Sequence, residues 1–274
     1  MNTEPTATDK TVPRMGALHL SNGTRLETAW WGQPGAPVLV LLHEGLGSIA
    51  LWRDTPSRLA AMGFAVFAYS RTGYGRSDTC ALPRPVSYLQ NEAREVLPQV
   101  LRLAGIARCV LVGHSDGASI AAIHAGSDPL PGVAGIVAMT PHYFVEPMCL
   151  AALRETRALY TEGSLRARLA RHHDHPDAAF HGWNDTWLDP AFHAAFDLSD
   201  CLSRIRVPVL QIHGEADPYG TTAQTSFAEA RVTAPIRTLI APARHAPHQE
   251  AADLVLGEIA GFARSCLEAA CRSG

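Results

Sequence analysis

Cys109-Val110-Leu111-Val112-Gly113-His114-Ser115-Asp116-Gly117-Ala118-Ser119-Ile120-Ala121-Ala122-Ile123 passes from an apolar run, through a serine set between glycines, into a helix-like stretch. An apolar run this short reads as a buried strand, and the apolar segment after the turn reads as a helix. In a Gly-x-Ser-x-Gly turn between strand and helix the backbone bends so sharply that the serine is held in a strained conformation with its hydroxyl exposed. The outer glycines are a steric need, because a Cβ there collides with the neighbouring strand or helix. Ser115 then stands at a helix N-terminus, where unpaired N–H groups favour developing negative charge. A glycine-rich turn that merely packs a helix on a sheet is the bland alternative. The strand before and the helix after favour a nucleophile at Ser115.

Working outward, two short alternating stretches at 16–20 and 25–31 flank Ser21-Asn22-Gly23, a hairpin signal. Beyond them, short Val/Ile/Leu runs alternate with longer helix-period segments: 38–42 then 52–62, 65–69 then 86–103, 109–112 then 117–125, and 133–139. Continuous apolar strands interleaved with amphipathic helices imply an α/β protein whose largely parallel sheet is covered on both faces. The alternation stops near Pro141 and resumes at 207–212. The helical stretch between reads as an inserted cap, giving a flexible tail over 1–14, a core over 15–141 and 203–274, and a cap over 142–202.

The chain has 274 residues, enough for one large domain and a sizeable core. With 47% hydrophobic and 18% charged residues and a net charge of -3, nothing favours nucleic acid or an anionic membrane as a partner. No apolar stretch is long enough to cross a bilayer, and residues 1–13 lack the apolar region of a secretory signal. The scattered cysteines 80, 109, 149, 201, 266 and 271 suit reduced thiols. A cytoplasmic protein acting on a small molecule is expected, as monomer or homodimer.

A serine hydroxyl needs a base within reach and an acid that orients the base. Gly214-Glu215-Ala216-Asp217 follows the run at 207–212, at the sheet edge where active sites of open α/β sheets gather. Asp217 is preferred over Glu215 as the acid. Arg244-His245-Ala246-Pro247-His248 follows the last strand, and His245, nearer the strand end, is preferred over His248 as the base. His43-Glu44-Gly45-Leu46-Gly47-Ser48 follows the strand at 38–42, and its glycines let N–H groups approach a substrate closely. The N–H groups of Gly45 and Asp116 are the candidate oxyanion donors, of a kind whose loss typically costs ~10²–10³ in rate.

These segments, with Ser70-Arg71-Thr72-Gly73-Tyr74-Gly75-Arg76-Ser77-Asp78, resemble the α/β-hydrolase fold superfamily in its helical-cap branch, from about Gly16 onward. The resemblance implies an α/β-hydrolase fold with a mostly parallel eight-stranded sheet. It also implies a serine hydrolase, with Ser115, Asp217 and His245 as nucleophile, acid and base, needing no cofactor or metal. A small carboxylic ester is the expected substrate. Carbon–carbon bond hydrolases of aromatic degradation share the fold and triad but often carry Gly-Asn-Ser at the elbow, which Gly113-His114-Ser115 does not match. Dehalogenases and epoxide hydrolases want aspartate where Ser115 stands. A ligand-binding protein on the same fold is the rival from another class.

Many relatives have His-Gly where this chain has His43-Glu44. The Glu44 carboxylate either binds a polar or cationic substrate group or points into a supporting network. Behind the serine stands Asp116 rather than an apolar residue, and its backbone role survives any side chain. Trp183 and Trp187 of the cap, with His142 and Tyr143 just after the strand at 133–139, are candidate substrate contacts. His172, His173, His175 and His181 read as a solvated polar face, because adjacent residues at a helix end do not converge on one ion.

Overall fold

The computed structural model describes residues 12–127 and 132–269. The first eleven residues of the expected tail and Cys271 lie outside that range. The continuous apolar runs do form strands buried on both faces: β3 (Val38–Leu42), β4 (Ala65–Tyr69), β5 (Cys109–His114), β6 (Val133–Met139) and β7 (Val209–Gly214). The alternating N-terminal stretches form β1 (Arg14–His19) and β2 (Arg25–Trp31), and β8 (Ile236–Ala241) closes the far edge. One eight-stranded sheet results, in the order β1-β2-β4-β3-β5-β6-β7-β8. The pairs β1·β2 and β2·β4 are antiparallel, and all others are parallel.

Alternation along each strand divides the core in two. Val40, Leu42 and Leu111 face the layer that holds the wholly buried helix Asp116–Gly126. Leu39, Leu41, Val110, Val112 and Met139 face the opposite layer, covered by the long amphipathic helix Ala252–Ala269 through Val255, Leu256 and Ile259. With Leu42 beside Gly113, His114 beside Met139 and Gly214 beside Ala241, the carboxyl ends of β3, β5, β6, β7 and β8 share one edge. The segments that carry the candidate site residues all leave from that edge.

Between β6 and β7 the chain forms the helices Pro147–Thr161, Ser164–Leu169, Pro176–Leu188, Pro190–Ala195 and Ser199–Arg204. This inserted cap is fastened to the core by polar contacts as well as by packing. His173 accepts from Gly75 N–H at 2.9 Å through Nδ1 and bonds the Leu46 carbonyl at 3.0 Å through Nε2. Trp187 Nε1 donates to Asp116 and Tyr88 of the core. The helix expected over 86–103 is broken into Tyr88–Asn91, a widened turn at Glu92–Val96, and Leu97–Leu103. Pro98 lacks an N–H, so a regular ladder cannot run through it. No described helix is long and apolar enough to cross a membrane.

Candidate active site

β5 ends at His114 and the next helix starts at Asp116, so a single residue must reverse the chain. Ser115 does so with φ 53° and ψ -116°. A non-glycine residue there is strained by about 1–3 kcal/mol, which its surroundings must enforce. They do so by close approach: a Cβ on Gly113 would lie 2.2 Å from the Gly117 carbonyl oxygen, and one on Gly117 would lie 1.9 Å from that of Leu42. Ser115 N–H donates to the Met139 carbonyl at 2.9 Å, tying the turn to β6.

Ser115 Oγ lies 3.0 Å from His245 Nε2, and His245 Nδ1 lies 2.9 Å from both carboxylate oxygens of Asp217. The structure thus brings together three groups from the ends of β5, β7 and β8. Burial would raise the Asp217 carboxyl, but the hydrogen bond and charge of His245 and the Tyr219 N–H outweigh it and hold the group below its ordinary range. Glu215 is exposed. His248 is buried against Trp52 and His114, at ring separations of 4.9 and 4.8 Å, and makes no bond to Ser115.

Among the described residues, the N–H groups of Gly45 and Asp116 have no acceptor. Both residues line a cavity of about 100 Å³ with Ser115 and His245. A Cβ on Gly45 would sit 2.0 Å from Trp183 Nε1, so the cap presses directly on this loop. Apolar walls come from Leu46, Cys149, Leu153, Trp183 and Trp187, and polar ones from Glu44, His142 and Tyr219. Tyr143, expected at the substrate, is instead buried outside this wall, with its N–H on Gln224 at 2.7 Å.

Glu44 Oε2 lies 3.4 Å from His114 Nδ1, while His114 Nε2 bonds the His245 carbonyl at 2.6 Å. The carbonyl requires a proton on Nε2, and the Glu44 carboxylate, in ion-pair range of Nδ1 without a hydrogen bond to it, favours the charged ring. Burial opposes that charge, but Glu44 and the His245 carbonyl overcome it and raise the His114 pKa. His114 thereby joins Glu44 to the backbone of His245, and Thr140 Oγ1 donates to the same carbonyl at 3.1 Å.

Sequence reasoning missed a network behind the serine. The Asp116 carboxylate accepts from Tyr88 Oη at 2.7 Å and Trp187 Nε1 at 3.1 Å, and lies 3.5 Å from the buried Arg71 guanidinium. Arg71 in turn donates to the Glu44 carbonyl at 2.8 Å. A charged residue in an otherwise apolar helix start was the available signal. In the histidine-rich cap segment, His181 pairs with Asp185 at 3.1 Å, and no group of three metal-ligating side chains converges among the described residues.

Residues 39–258 match the alpha/beta hydrolase family. The chain is 35% identical over 104 residues to epoxide hydrolase A of Mycobacterium tuberculosis, a match covering 36% of this chain and 30% of that protein. It is 25% identical over 234 residues to the bifunctional esterase/perhydrolase DCH of Acinetobacter calcoaceticus, covering 74% and 82% of the two. Among solved structures it resembles a hydrolase from Pseudomonas aeruginosa PA01, with TM-score 0.69, 22% identity, and coverage of 90% and 97%. With the family match spanning most of its length, this chain belongs to the alpha/beta hydrolase family and is a hydrolase.

Proposed function

We propose that the protein is a serine esterase that cleaves small carboxylic esters through an acyl-enzyme. Ser115 Oγ attacks the carbonyl carbon while His245 Nε2 accepts its proton. Asp217 holds Nδ1–H of His245, fixes the tautomer and stabilises the imidazolium. The N–H groups of Gly45 and Asp116 receive the oxyanion, and the helix that starts at Asp116 adds the positive end of its dipole. His245 returns the proton to the departing alcohol, which leaves the acyl group on Ser115. It then takes a proton from water, whose hydroxide attacks the ester carbon; as the bond from that carbon to Oγ breaks, His245 returns the proton to Ser115 and the acid leaves.

The observation that carries this reading is the line from Asp217 through His245 to Ser115, at 2.9 and 3.0 Å, opening on a largely apolar cavity of about 100 Å³. The esterase named among the relatives supports the ester class. Hydrolysis of p-nitrophenyl acetate and butyrate tests it. Turnover by the wild type and its loss by at least ~10³-fold in Ser115→Ala is the expected result. Cleavage of a vinylogous 1,5-diketone with no turnover of either ester would replace it with carbon–carbon bond hydrolysis.

A further inference from the structure

His142, directly after β6, is 4% exposed and lines the cavity. Packing fixes its place: its carbonyl accepts from Ser119 Oγ at 2.6 Å, and its ring meets Trp187 edge-on at 5.3 Å. Yet neither ring nitrogen has a hydrogen-bond partner among the described residues, and Nδ1 is fully buried. The neighbouring histidines differ, since His114 bonds the His245 carbonyl and His213 the Gly220 carbonyl. An unpartnered buried imidazole is destabilising, so one held at a cavity wall points to a partner that arrives with a ligand.

Burial, aided by the charge of His245, pushes the His142 pKa down to about 3, so the ring offers one donor and one acceptor at neutral pH. Nδ1 is buried with neither donor nor acceptor in reach, so Nε2 is the nitrogen that can meet a ligand. The ring centre lies 6.0 Å from that of His245, so whatever meets it stands close to the reacting carbon. The Glu44 carboxylate shares the wall, and no lysine or arginine lines it.

We propose that His142 donates from Nε2 to a substrate oxygen other than the scissile carbonyl, making the enzyme selective for uncharged esters with an ether, hydroxyl or keto oxygen near the reacting carbon. The proposal rests on the acyl-enzyme reading and narrows its substrate class. His142 is neither acid nor base in it.

Two near-isosteric pairs test it: p-nitrophenyl methoxyacetate against butyrate for the acyl side, and 2-methoxyethyl against n-butyl acetate for the alcohol side. Each kcat/KM ratio is divided by the ratio for hydroxide-catalysed hydrolysis, which removes intrinsic reactivity. In the wild type the corrected ratio should exceed unity by ~10-fold or more for one pair, fall toward unity in His142→Phe and be largely kept in His142→Gln. Corrected wild-type ratios near unity for both pairs would overturn the proposal without any variant. So would ratios that His142→Phe leaves unchanged. A folded protein whose Ser115 no fluorophosphonate labels would instead overturn the acyl-enzyme reading, and this proposal with it.

Discussion

Replacing Asp116 by alanine removes a carboxylate that is 1% exposed and leaves Arg71, 2% exposed, without its opposite charge. Breaking a buried pair from one side typically costs about 3–5 kcal/mol, because the remaining ion stays desolvated. The hydrogen bonds from Tyr88 and Trp187 go too, although those two groups still bond each other at 2.8 Å and need no full replacement. The working value therefore stays at about 3–5 kcal/mol, a large part of the 5–15 kcal/mol expected for a domain. Urea unfolding followed by tryptophan fluorescence and far-UV circular dichroism measures it, as a lower midpoint at constant slope. Removing both charges in Arg71→Met/Asp116→Leu should destabilise less than the sum of the single changes, with a coupling of about 1–3 kcal/mol. A loss below about 1 kcal/mol in Asp116→Ala, or strict additivity in the cycle, would refute the reasoning.

Gly45→Ala places a Cβ 2.0 Å from Trp183 Nε1 and should lower kcat/KM by ~10²-fold, with partial recovery when Trp183 is also shortened. Unchanged kinetics would show that the loop and cap are not in contact at this point. Asp217→Asn should keep the fold and lower kcat by ~10⁴-fold, since an amide stabilises the wrong tautomer of His245; steady-state kinetics with a circular dichroism control decides. His142 and His248 have folded pKa values of about 3, against 6.5 unfolded, so the unfolded chain binds more protons in that window. Stability from these rings is complete above 6.5 and lost as pH falls toward 3, by roughly 2 kcal/mol per ring at about pH 5. His114, whose pKa is raised, works in the opposite sense. His248→Phe should flatten the acid limb of a denaturation series, and an unaltered limb would count against a neutral buried ring.

The features legible in the sequence are those with a local physical signature. The parallel sheet showed as short runs apolar on both faces, and the turn at Ser115 as glycines where any Cβ would strike backbone. His245 over His248 followed from nearness to the strand end, whereas Asp217 was preferred although Glu215 stands nearer to it; the structure sets His245 against Ser115 and Asp217 against His245. The antiparallel insertion of β2 beside β4 was not legible, because strand order depends on packing between distant segments. Nor was the buried network of Arg71, Tyr88, Asp116 and Trp187. Its hydrogen bonds link residues as far as 99 positions apart, and each alone reads as an ordinary polar or aromatic side chain. Tyr143 illustrates the limit from the other side: a residue next to a wall residue turned into the core, since successive side chains leave a strand end in different directions.

The central claim is that Ser115 is made nucleophilic by His245 and Asp217. The most direct measurement is the mass and position of the adduct formed with a fluorophosphonate. One adduct on Ser115, absent in Ser115→Ala and strongly slowed in folded His245→Ala, is the predicted result. A folded wild-type protein that takes up no adduct, or carries it on another residue, would contradict the account.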